Sequence, residues 1–171
     1  MASGKFFDPH VLLRVSPLLT STCSLWYAWD QHFFLSIFLS PTHLAQSNDI
    51  LPSYFRVFFR GGVTRVLVLL SLTMATSAAN IYSYAHRGSS HALREKGALA
   101  WYVAGAGFAA AHLLFVPAVA PRIVAISEDK SKGNSTQDLR AWLRVNAVRM
   151  LTVDLAAWGC LGVGVMKALN A

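Results

Sequence analysis

Charge is what this 171-residue sequence has least of: 13% of its residues are charged, against about 25% in a soluble globular domain. Set beside 54% apolar residues, that shortage excludes an ordinary water-soluble domain. Acidic residues are scarcer still, eight against fifteen Lys and Arg, for a net charge of +7. The excess cation sits among apolar stretches and not in a solubilising tail, so no nucleic-acid partner is read from it. The two cysteines, Cys23 and Cys160, lie in apolar runs without CxxC or Cys/His spacing and are small core residues. His10, His43, His86 and His91 stand at ends or in connections with no ligand spacing, so no metal site is expected. No dinucleotide fingerprint, phosphate loop or Ser/His/Asp arrangement occurs, which sets aside acyl-enzyme hydrolases, nicotinamide and flavin enzymes and nucleotide-driven pumps. Without internal repeats, a transporter has little support.

What the sequence does have is length enough for four membrane spans in one domain, residues 1–171, an all-α integral membrane four-helix bundle. A helix needs roughly 20 residues to cross a bilayer core about 30 Å thick. The first span is expected from Val11 to Leu39, the second from Val63 to Tyr84, the third from Ala98 to Val119 and the fourth from Leu139, or already Gln137, to Leu169. Pro52 suits a first helical turn ahead of the second span, and Gly61 and Gly62 suggest a bend there. Gly105 and Gly107 allow close helix approach in the third span, which Pro117 and Pro121 weaken or end. The connections are Ser40 to Asp49, His86 to Lys96 and Glu128 to Asp138. The start, Met1 to His10, leads into a long helix without a cleavage site, so the first span is expected to act as its own targeting signal. Six Lys and Arg on the terminal side against nine on the other do not fix orientation. The triplet Asn134, Ser135, Thr136 is a glycosylation acceptor only if its connection is lumenal.

Ionisable side chains within spans cost about 2.5 to 3.5 kcal/mol each on insertion scales and by default face the bundle interior. Asp30 lies on the first helix and His112 on the third, eleven residues beyond Trp101 and on its face. Asn146, Arg149 and Asp154 share a broad face of the fourth. In a regular helix Arg149 and Asp154 stand on opposite flanks of that face, so Asp30 is the expected partner of Arg149. A buried ion pair that only locks helix register is the plainer alternative. The fuller set suggests proton transfer, since carboxylates in a partly apolar site can be split into an acid and a base. Trp26, Trp29, Trp101, Phe108 and Trp158 are the expected lining of an apolar substrate cavity. Arg14 and Arg65 are expected to snorkel to headgroups, and Asn80 to make an interhelical hydrogen bond.

The order of these features resembles the small four-helix membrane proteins of the anthrone oxygenase-like superfamily. It has an aromatic first span, the stretch Leu51 to Gly62, then Trp101 to Gly105 with His112 to Pro117, then Trp142 to Arg149. Within that group the run Arg149 to Trp158 is most similar to the membrane hydrolases of fungal polyene-pyrone pathways, of the citreoviridin and aurovertin type. The resemblance implies an epoxide hydrolase or epoxide-opening cyclase of polyketide secondary metabolism, without a cofactor, in the endoplasmic reticulum membrane. Its partners would be an apolar polyketide epoxide and the lipid bilayer, with oligomerisation left open. In the expected mechanism Asp154 activates water held with Asn146, Asp30 or His112 protonates the epoxide oxygen, and Arg149 sets their protonation states. The Asp, Arg, Asp logic resembles limonene-type epoxide hydrolases as functional analogy only. A cofactor-free oxygenase of the anthrone type and a non-catalytic membrane partner of polyketide enzymes are the alternatives.

Overall fold

The computed structural model describes residues 8–86 and 92–170, without the side chains of 85, 86 and 92–96, and contains no strand among them. Four helical rods follow one another. Helix α1, Pro9–Ser36, starts where Asp8 accepts a hydrogen bond from the His10 amide at 2.8 Å and Pro9 fills the first position, where no N–H is needed. A tight turn, Ile37–Leu39, ends it. Ser40 is extended, as a residue before proline prefers, and the turn Pro41–His43 leads into α2, Leu44–His86.

Helix α2 has 43 residues, a length of roughly 65 Å, and takes up most of the connection expected from Ser40 to Asp49. Pro52 lies inside it and not in a first turn, and the expected bend at Gly61 and Gly62 is absent. Gly62 is instead a place of close approach: a Cβ there would meet Tyr27 Oη at 3.3 Å and Gln31 Nε2 at 3.5 Å. Of the next expected connection, 87–91, including His91, lie outside the described residues, as do 1–7 of the start.

The third rod is α3, Ala92–Ala111, a tight turn His112–Phe115, and α4, Val116–Ser127. Pro117 does not end the span. It cannot donate to the Leu113 carbonyl and would crowd it, so the chain tightens, Val116 N–H bonds the Leu113 carbonyl, and the helix resumes and passes Pro121. The fourth rod is α5, Ser135–Arg149, a wide π-type turn Met150–Asp154, and α6, Leu155–Leu169. The wide turn closes through the Leu155 amide on the Met150 carbonyl.

Helices α3 and α6 pack closely at Gly105, where a Cβ would stand 2.7 Å from Leu161 Cγ and Cδ2 and 3.4 Å from the Ala157 carbonyl oxygen. Gly107 has nothing near it, so only the first of the two expected glycines does this work. The Asn80 amide donates to the Leu13 carbonyl at 2.7 Å, the expected interhelical bond. Arg14 does not snorkel freely: its Nη1 donates to the Ala168 carbonyl at 2.9 Å, while Tyr102 Oη donates to the Arg14 carbonyl at 2.8 Å.

Apolar burial falls into two separate cores. Leu35, Leu51, Phe55, Ile126, Leu139, Trp142 and Leu143 make one. Ala98, Tyr102, Leu161, Val165 and Ala168 make the other, at the opposite end of the rods. Three stretches, Pro41–Tyr84, Gly97–Ser127 and Ser135–Leu169, are long and apolar enough to cross a membrane. Helix α1, although 28 residues long, is not among them. Ser16, Thr20, Ser21, Thr22 and Ser24, then Asp30, Gln31 and His32, lower its hydropathy below that of the span expected there.

Candidate active site

Between the two cores, near the middle of the rods, lies a polar network. The π-type turn creates its centre. In a regular helix residues five apart are rotated by roughly 140°, but a turn closed over five residues returns Asp154 to the side of Arg149. Arg149 Nε donates to Asp154 Oδ2 at 3.1 Å. The expected pairing of Arg149 with Asp30 is therefore replaced by a pair within one rod. The other carboxylate oxygen, Oδ1, lies 2.9 Å from His112 Nδ1, and the tight turn ahead of Pro117 is what presents His112 there. Arg149 Nη2 donates to Asn146 Oδ1 at 2.8 Å, and Asn146 Nδ2 donates to the Ala28 carbonyl on α1 at 3.3 Å. His112, Asn146 and Arg149 are buried, and the Asp154 side chain is 8% exposed.

The structure thus joins four of the five expected polar residues and leaves out the fifth. Asp30 faces a different groove with Trp26, Tyr27, Thr64 and Arg65. Both Asp154 oxygens and both ends of the Asn146 amide are engaged inside the network. His112 has only Nδ1 engaged, so Nε2 is its free ring nitrogen, and an Asp on Nδ1 fixes both tautomer and orientation.

His112 and Arg149 line a cavity of about 300 Å³ between α1, α2, α4 and α5. Apart from these two and Gln31, its walls are apolar: Phe58, Phe59, Val63, Phe115, Ile123 and Trp142 are among them. None of the five expected lining residues is there. Trp26, Trp29 and Trp158 line a shallow outer groove with Met150 and Leu155, and Trp158 Nε1 donates to Thr22 Oγ1 at 2.9 Å. Trp101 packs beside Gly164, and Phe108 is on the outer surface. Trp101 precedes His112 by eleven residues of regular helix, roughly 16 Å along the axis, and so stands beyond the end of the cavity. The sequence reading also missed Gln31. Its only signal was an amide in mid-helix, overshadowed by the neighbouring Asp30 and His32. Among the described residues no group of three His, Cys, Asp or Glu side chains has metal-binding geometry.

No protein-family model matches the chain, and no solved structure does. Curated relatives do. It is 31% identical over 164 residues to epoxidase pydX of Acremonium sp, covering 94% of this chain and 96% of the relative. It is 32% identical over 158 residues to probable epoxidase scpX of Mollisia scopiformis, covering 92% and 96%. Epoxidase gkaX of Penicillium citrinum is 29% identical over 160 residues, with 94% of each chain covered. At that identity and near full-length coverage, the chain belongs to the family of the fungal epoxidases pydX and scpX.

Proposed function

We propose that this protein is a membrane-embedded enzyme of fungal secondary metabolism that forms an epoxide on an apolar substrate, with His112 as its acid–base group. The observation that carries the reading is His112 at the wall of an apolar cavity, held through Nδ1 by Asp154 with Nε2 left for a ligand. The relatives' names supply the reaction class. Epoxide formation from dioxygen puts one oxygen atom into a carbon–carbon double bond and releases the other as water, which takes two protons and two electrons, the electrons from an added reductant. A histidine beside the double bond is suited to relay protons, and Asp154 on Nδ1 fixes its tautomer and orientation.

Substrate enters from the lipid. Leu67, Leu113, Val116 and Val124 line the cavity and are also 40% to 51% exposed, so the wall between α2 and α4 opens sideways. With the rods crossing a bilayer, as in a multi-pass protein of the endoplasmic reticulum, this opening faces acyl chains and not water.

A second reading, hydrolytic or cyclising epoxide opening, is favoured by Arg149. It lines the cavity with Nη1 free of the network, a donor for the alkoxide that an opening epoxide develops. Membranes containing the protein, supplied with a two-electron reductant and given olefin and epoxide forms of candidate polyketides under labelled dioxygen and then in labelled water, separate the two. Label from dioxygen in an epoxide product supports formation, and label from water in a diol supports opening. Undiminished turnover by His112→Asn overturns both.

A further inference from the structure

Gln31 stands apart from the network and from the cavity's apolar walls. It is 7% exposed, it lines the cavity, and its side-chain amide has no hydrogen-bond partner among the described residues. With no protein partner and an opening onto the cavity, the amide is left to hydrogen-bond whatever occupies it. By contrast Asn146 bonds Arg149 and Ala28, and Asp154 bonds His112 and Arg149. Gly62 lies beside the amide: a Cβ there would stand 3.5 Å from Gln31 Nε2, in ordinary contact, and a tighter 3.3 Å from Tyr27 Oη.

We infer that Gln31 is a substrate-binding residue that hydrogen-bonds an oxygen group, a carbonyl or hydroxyl, on an otherwise apolar ligand. The inference rests on the reading of this cavity as the substrate site, and it narrows the substrate class to apolar chains carrying such a group within the cavity. An amide offers a donor and an acceptor, so either group fits. Gln31 comes from α1, whereas His112 comes from the turn after α3 and Arg149 from the end of α5. A ligand tethered at Gln31 therefore has its chain set in register against His112, which determines the bond presented for reaction.

The test uses a matched pair of probes, a linear conjugated trienone and the triene hydrocarbon of the same length. Binding to the full chain in lipid nanodiscs is followed by energy transfer from tryptophan, Trp142 being in the cavity wall. The trienone is expected to bind about tenfold more tightly than the hydrocarbon, the worth of roughly one buried hydrogen bond. Gln31→Met is expected to abolish that preference while leaving hydrocarbon binding unchanged, and Gln31→Asn to retain part of it. Equal binding of the two probes by the unaltered protein, binding of neither, or a preference that survives Gln31→Met overturns the inference. Should Gln31→Met fail to fold, the comparison of probes on the unaltered protein still decides. The enzymatic reading fails separately, if the preference holds but neither olefin nor epoxide substrates are turned over.

Discussion

Asp154 has one carboxylate oxygen on His112 and the other on Arg149, so it joins the two, and in the proposed reading His112 is the working end. Replacing Asp154 by Asn should reduce turnover by roughly 100-fold or more, because the imidazole loses both its tautomer control and its counter-charge. Asp30→Asn, in a groove elsewhere, should leave turnover within a factor of a few; a steady-state assay of both variants in matched membranes checks this. Arg149→Met should cost stability as well, about 3 to 5 kcal/mol, since it strands a buried carboxylate; the readout is a thermal unfolding curve. The sequence already marked His112, Asn146, Arg149 and Asp154, because each is a polar side chain in an apolar stretch and has to find a partner. It paired them wrongly. Regular helical spacing puts Arg149 and Asp154 far apart, and a wide turn has no compositional signature that would have warned otherwise. The tryptophans misled for a related reason: large aromatic residues on spans face lipid as readily as they face a cavity, and here the cavity wall is built from phenylalanines and Trp142.

At the scale of elements, the two non-α turns make the site. Removing Leu151, an exposed residue of the wide turn, should convert that turn to regular helix and rotate α6 by about 100° relative to α5. Arg149 and the shifted aspartate would still be able to pair, but Leu161 and Val165 would leave α3. The expected outcome is a loss of monodisperse protein on size-exclusion chromatography. The α3–α6 contact is tested more gently by Gly105→Ala, whose added methyl meets the buried Leu161 side chain. A loss of about 1 to 3 kcal/mol is expected, recovered in part by combining it with Leu161→Val, as thermal unfolding of the set would show. Helix existence was legible from hydrophobic runs, and the rod Ser135–Leu169 lies close to its expected limits. Helix interruptions were not. Prolines marked weak points in the backbone, yet Pro52 and Pro121 are absorbed inside helices, and Pro117 causes a local tightening without ending its rod.

Over the whole molecule, the distance between the two cores matters more than the size of either. Phe55→Ala at one end and Leu161→Ala at the other should each cost about 2 to 5 kcal/mol. With no shared neighbours, the double variant should show the sum within about 0.5 kcal/mol. Denaturant titrations of the four proteins measure the cycle, and a marked excess over the sum would mean that the ends communicate through the middle. The overall arrangement follows from four long segments and short connections, which made it readable in advance. The location of the cavity did not follow, since it depends on how α2 and α4 are rotated about their own axes. A bundle fastened at top and bottom and hollow on one side of its waist has an opening that breaks neither hoop. In the proposed reading a greasy guest therefore needs no lid to lift: it slips in at mid-height and leaves by the same seam while both hoops stay closed.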